Sequence, residues 1–457
     1  MKLPIFSSGL YLFGVATFSW GFAAGGNHIF PGPMLNLIKD EVSDFTKGSS
    51  FENLSLSQML QNDLGGTPYR LIRDHAPAFP NQFSEMPVPG LKDRRQNPRT
   101  FIDEDRSDFF RMVVGAFDFE EAFWGAVLIS PAGDVVHTWH LKGDSEALTQ
   151  RRDTLKIGYG VAVFPDGSIV INKQEDGGGL SLRTLCSELA WSKPGVFHHS
   201  AEPTERGDAF WTLGGYQSDI YPELVLIDAA TGDTLRQIDM AEVDRANAHI
   251  SILHMTRHEE KIGEVVFGHV THPNDVEPLP SAIADAFPMF EAGDLLINYR
   301  NINLMFVLDP ETLQIKWRNF GALDAGHDPD WQPDGTIVAY DNSARAADRA
   351  IPLYSRIVSI DPITGQSKAI VEGKAYDFFS KYNGRQQVTP NGTVLITIST
   401  QGRVLEVDPR TGDVIFDFVN SYDWKEGKTL HLSDAFAIDA QTAGAWLKND
   451  CSKKGIY

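Results

Sequence analysis

The chain has 457 residues, a formal net charge of −21 and 42% hydrophobic residues. That length and apolar content allow a sizeable core. The acidic surplus argues against nucleic-acid binding, which needs a basic surface to displace counterions, and an anionic substrate would need a local positive pocket against the global field.

Lys2 is followed by an uncharged run from residue 5 to residue 25, about as long as a membrane span needs. Ser7, Ser8, Gly9, Gly14, Thr17 and Ser19 dilute it, and Phe22-Ala-Ala-Gly25 is material of the kind cleaved from a secretory signal. Residues 1–27 are therefore predicted to be a signal anchor or signal peptide. The interfacial texture of residues 29–35 tips the choice towards a retained anchor. Either form sends the rest of the chain across the membrane, so the expected location is the periplasm, tethered to the inner membrane by this helix. Residues 28–108 read as an extended, Pro-containing connector with short helices near 36–45 and 54–62.

From about residue 109 short β-type runs alternate with turn signals, and helix periodicity disappears. Many strands at this spacing mean a sandwich, a barrel or a propeller. One turn recurs as Asp228-Ala-Ala-Thr-Gly232, Asp309-Pro-Glu-Thr-Leu313, Asp361-Pro-Ile-Thr-Gly365 and Asp408-Pro-Arg-Thr-Gly412. A second recurs at Pro165-Asp-Gly167, Arg206-Gly-Asp208, Ala292-Gly-Asp294, Pro333-Asp-Gly335 and Pro390-Asn-Gly392. The two alternate, which defines a repeating sheet of about 40 to 60 residues, the size of a propeller blade. Inner strands should start near Gly158, His198, His272, His327, Gly384 and His431. The fold predicted is an all-β, six-bladed β-propeller over residues 109–445, closed by pairing of its two ends, with a C-terminal tail at 446–457. Closure hides sheet edges that would otherwise be open. Cys186 and Cys451 could form one disulfide in an oxidising compartment or stand as unrelated thiols.

Three strand starts read His-x-x-Asp: His272 to Asp275, His327 to Asp330 and His431 to Asp434; a fourth reads His198-His199-Ser200. Inner strands of a propeller converge on its central channel, so equivalent positions face one funnel. Histidines there suit a metal, a proton or an anion; the plainer alternative is imidazoles that cap turns. Arg300 and Arg385 are candidate forks for sulfate or phosphate oxygens, against a plain ion pair. Gly326, beside His327, would let a ligand approach the backbone, and Asp328 or Asp330 could orient the His327 ring.

Phe197-His-His-Ser200, His272-Pro-Asn-Asp-Val276, Gly293-Asp-Leu-Leu-Ile-Asn-Tyr-Arg-Asn301 and Gly326-His-Asp-Pro-Asp-Trp-Gln-Pro-Asp-Gly335, continuing to Asp341-Asn342, resemble the bacterial arylsulfate sulfotransferases that use no nucleotide donor. The resemblance covers about residues 120 to 440. It implies a six-bladed propeller that moves a sulfuryl group from a phenolic sulfate to a phenolic acceptor through a sulfated histidine. By motif order the nucleophile falls on His327, with His198, His199, His272 and Arg300 as its catalytic partners. Asp328, Asp330, Arg385 and His431 are assigned to substrate binding. Ser200 stands where the family tends to have aspartate. No cofactor and no metal is expected; the partners are an aryl sulfate, a phenol and, through the N-terminal segment, the membrane. An oligomeric or membrane-complex partner is left open. The competing readings are a membrane-tethered scaffold or envelope-complex subunit, and a metal-dependent hydrolase using the His/Asp ring.

Overall fold

The computed structural model describes residues 101–103, 106, 108–118, 122–141, 158–173, 179–215, 223–250, 271–343, 354–380, 382–423, 428–449 and 451. The expected helix at 1–27 and the short helices of the connector lie outside these residues. Among the described residues no helix is long and apolar enough to cross a membrane.

Six antiparallel sheets of at least four strands follow one another along the chain and form six blades. The first combines both ends: Leu432–Ile438 pairs with Phe110–Asp118, followed outward by Ala122–Ile129 and Val135–His140. Its register runs from Phe110 opposite Ile438 to Gly115 opposite Leu432. The other five blades are each built from four consecutive strands, and their inner strands are Gly158–Val163, Phe197–Pro203, Pro273–Pro278, His327–Trp331 and Arg385–Val388. The sixth blade gains a fifth, outermost strand, Phe101–Ile102, paired with Val414–Val419. The end of the predicted connector is thus part of a blade. Arg106 anchors it there through ion pairs to Asp408 and Asp413 at 2.6 and 2.7 Å.

The repeated turn has a clear cause. Asp228 Oδ1 accepts from the backbone amides of Ala230 and Thr231, and Asp361 Oδ1 accepts from those of Ile363 and Thr364. The fifth residue must then be left-handed, which glycine adopts at little cost. Gly232, Gly365 and Gly412 do so; Leu313 takes φ 59° at the same place without that freedom.

Apolar faces pack between neighbouring blades. Val113, Phe117 and Phe123 of the first blade lie with Leu395, Phe416 and Phe418 of the sixth in one buried cluster. Arg111 crosses the same seam: fully buried, it donates to Glu406 at 2.9 Å and lies over the Phe416 ring. The helix Ala440–Leu447 runs past the expected start of the tail. Its Trp446 is buried against Trp139 and donates to the carbonyl of Pro165 at 2.9 Å. Cys451 then bonds to Cys186 of the second blade, so the last residues clamp the first blade to the second.

Candidate functional site

The inner strands carry register breaks near their starts in five of the six blades: between Gly158 and Gly160, at His199–Ser200, between Pro273 and Asp275, between His327 and Asp330, and at Ser433. A bulge adds a residue that the partner strand does not match, bending the strand and re-aiming its side chains. His199, His272 and Asp328 take φ of 44°, 50° and 54°, a conformation uncommon for residues with a side chain. The neighbouring blade supports the His199 bulge. Asn172 Nδ2 donates to the His199 carbonyl at 2.7 Å, and a Cβ on Gly160 would lie 2.0 Å from that oxygen.

These bulges bring His198, His199, His272 and His327 together. The ring centroids lie 4.2 Å apart for His198 and His199, 4.7 Å for His198 and His272, and 5.5 Å for His199 and His327. The Nε2 atoms of His199 and His272 are 3.3 Å apart. Arg300 begins the turn after Leu295–Tyr299; its backbone amide donates to the His272 carbonyl at 3.0 Å and its guanidinium to Asn301. A small cavity is lined by His199, His327, Asn274, Asp328, Arg385 and Ser433 among others. Gly326 does not open it. A Cβ there would meet Leu323, and the Gly326 carbonyl accepts from Asn274 and Asn298.

His327 is oriented by Asn342, not by Asp328 or Asp330 as expected. Asn342 donates its amide hydrogens to the carbonyls of Ser380 and Asn383 at 2.8 and 2.6 Å. Carbonyls only accept, so the Asn342 oxygen faces the His327 ring and accepts from Nδ1–H at 2.6 Å. The proton is thereby fixed on Nδ1 and Nε2 carries the lone pair. Burial holds His327 well below the ordinary histidine range, and Arg300 adds to this, against the Asn342 bond. His199 is likewise held well below by burial and by its neighbours His198, His272 and His327. His199 and His327 are therefore neutral at pH 7.

The residues assigned to substrate binding are placed differently. Arg385 is buried, and its guanidinium is committed to carboxylates. Nη1 pairs with Asp328 and lies 3.3 Å from Glu202 and 3.7 Å from Asp275, and Nε lies 3.6 Å from Asp434. Asp328 also accepts from the Gln386 amide at 2.6 Å, and Asp330 from the Gln386 side chain at 2.7 Å. Burial first, and mutual repulsion second, raise Asp275, Glu277, Asp330 and Asp434 well above the carboxylate range. His431 is fully buried, pushed down to about 3 by its dry surroundings, and does not line the cavity. Its carbonyl accepts from Ala116 at 3.2 Å.

A six-bladed propeller with histidines gathered at its inner strand starts is the class of protein that fold and site define. A sequence model of the arylsulfotransferase (ASST) family matches residues 160–421, and the chain belongs to that family. The match spans the His198-His199, His272, Arg300 and His327 motifs. Solved structures align with the chain at low identity. A protein of unknown function from Bacteroides caccae is 10% identical, with a TM-score of 0.46, covering 72% of this chain and 99% of its own. Hydrazine synthase from Kuenenia stuttgartiensis is 12% identical, with a TM-score of 0.37, covering 65% of this chain and 80% of its own. No curated protein matches the chain.

Proposed function

We propose that this chain transfers a sulfuryl group from an aryl sulfate to a phenol through His327. One observation carries the reading: Asn342 fixes the His327 proton on Nδ1 and leaves Nε2 with a lone pair inside a histidine-lined cavity. Nε2 attacks sulfur. The N–S bond forms as the aryl O–S bond breaks, and the phenoxide leaves with the bonding electron pair and takes its proton from water. The acceptor phenol gives its proton to water as its oxygen attacks sulfur and the N–S bond breaks. By analogy with phosphoryl transfer, the passing group is trigonal, with negative charge on three oxygens. Arg300 and the imidazole N–H groups face that charge without reorganising. A covalent intermediate splits one hard displacement into two. The Cys186–Cys451 disulfide supports an oxidising compartment such as the periplasm.

The test is turnover of a chromogenic aryl sulfate with added phenol. His327→Ala should lower kcat/KM by at least about 10³-fold with an unchanged unfolding midpoint. Wild type incubated with aryl sulfate alone should gain a sulfuryl mass on the peptide containing His327. Comparable turnover by His327→Ala would remove the nucleophile from the scheme, and no wild-type turnover with any phenolic sulfate would remove the reaction.

A further inference from the structure

His198, His199 and His272 converge more closely than a hydrogen-bonded trio requires. One ring nitrogen of each lies within 4.8 Å of the others. The closest pair, Nε2 of His199 and Nε2 of His272, is 3.3 Å apart. Two imidazoles bound to one tetrahedral ion at 2.0–2.1 Å have their nitrogens about 3.3–3.4 Å apart. His198 is set up to complete the set. Its Nδ1 lies 2.8 Å from the carbonyl of Pro273, which only accepts. Nδ1 therefore carries the hydrogen and Nε2 the lone pair, and a backbone carbonyl behind the distal nitrogen is a common support for a ligating histidine. The bulge that places His199 is braced from behind by Asn172.

A second trio, Glu202, Asp275 and Asp328, also comes within 4.8 Å. Arg385 Nη1 already stands among its oxygens, paired with Asp328 and 3.3 and 3.7 Å from the other two. That place has a cation of its own. The histidine trio offers three imidazole nitrogens and, among the described residues, encloses no such cation.

We propose that His198, His199 and His272 form a three-imidazole site for one divalent transition-metal ion of the zinc class, and that its occupancy excludes the sulfuryl group. Imidazole suits zinc, copper, nickel and cobalt and leaves magnesium and calcium to oxygen ligands. Three protein ligands leave the fourth position to water. The exclusion follows because a nitrogen that ligates a metal cannot donate to a sulfuryl oxygen; this half rests on the proposed sulfotransferase reading, whereas the site itself does not.

The probe is Co²⁺ added to the metal-free full chain. Tetrahedral Co²⁺ should give strong visible absorption at one equivalent, and Mg²⁺ should not compete. His272→Ala should weaken binding by at least about 100-fold, the upper end of what losing even an outer-shell partner costs. His137→Gln, on the outer strand of the first blade, should bind as wild type does. Should His272→Ala fail to fold, the wild-type X-ray absorption edge must still count three imidazole nitrogens. No one-to-one Co²⁺ absorption in wild type, or equal affinity in a folded His272→Ala, overturns the site. Aryl sulfate should raise the apparent Kd for Co²⁺, and Co²⁺ should inhibit turnover competitively. Binding without any sulfatase or transferase turnover would leave the metal site standing and sink the sulfotransferase reading. Turnover without Co²⁺ binding would do the reverse.

Discussion

Two groups of titratable side chains share the inner strands, and they are only three residues apart. His199, His272 and His327 are followed three positions on by Glu202, Asp275 and Asp330. The histidines are bonded chiefly to backbone carbonyls, to one another and to an asparagine. Glu202 and Asp275 enclose Arg385 together with Asp328 and Asp434, and Asp330 accepts from Gln386. One group keeps ring nitrogens that can give or take a proton, while the other has consumed its charge internally. A buried arginine already paired with several carboxylates has little left for an incoming sulfate, whereas Arg300 stands beside the imidazoles. On the proposed reading the anion would be met on the histidine side, with the Arg385 side as its foundation.

Removing Arg385 should break that division most severely. Arg385→Met keeps much of the volume but leaves Asp328, Glu202, Asp275 and Asp434 facing one another. Loss of one partner from a buried charge network costs about 3–5 kcal/mol. The urea midpoint at pH 7 should fall accordingly, and part of the loss should be regained at acid pH as the carboxylates take up protons. An unchanged midpoint at pH 7 would mean that the group already holds enough protons to do without the guanidinium.

Asn342 tests the other side. It touches His327 but no transferred atom, so it is a positioning residue. Asn342→Ala frees the ring to rotate and to exchange tautomers. Misplacing a reacting group costs about 10²-fold, and the loss should fall on kcat with KM little changed. A folded Asn342→Ala with wild-type kcat would show that packing alone holds the ring.

Much of this was legible in the chain. The alternating turns mark the blades because each Asp-x-x-Thr-Gly loop needs a side-chain acceptor and a left-handed residue, requirements that repeat with the sheet. The histidine register was legible because inner strands start at equivalent points. The fourth member of the acid series was missed because it is a glutamate: His199-Ser-Ala-Glu202 continues the pattern seen in His272-Pro-Asn-Asp275. Asn342 was not legible as the partner of His327. It lies 15 residues away, just after Ile337–Asp341, and pairing across strands brings it back. Asp328 looked closer, but its positive φ turns it towards Arg385 and Gln386. Neither a bulge nor a left-handed aspartate leaves a mark in composition or periodicity. The Phe101–Ile102 edge strand was hidden for another reason: two residues are too few to show alternation.

The smallest expected effect is a pH shift, and it separates the two groups most finely. His327 is held well below its ordinary value by burial first and Arg300 second, with His272 and Arg385 adding to them and the Asn342 bond opposing. A lowered histidine is neutral across a wider range, so the proposed nucleophile keeps its lone pair as pH falls through 6.5. The acid limb of kcat/KM, which reports the free enzyme, should therefore lie below 6.5. Linkage has the matching sign. The unfolded chain binds protons below about 6.5 while folded His327 and His199 do not, so their contribution to stability is whole above that pH and shrinks as pH falls. The raised carboxylates act oppositely, contributing fully at acid pH and losing that contribution as pH rises through their folded values. Arg300→Gln removes the second cause of the His327 shift. It should lower kcat/KM at every pH through lost oxyanion contact and also move the acid limb upward, towards 6.5. If Arg300 only binds sulfate and does not set the charge state of His327, the rate will drop while the limb stays where it was. A limb that already lies at or above 6.5 in wild type would mean that the group controlling activity is not a buried imidazole of this site.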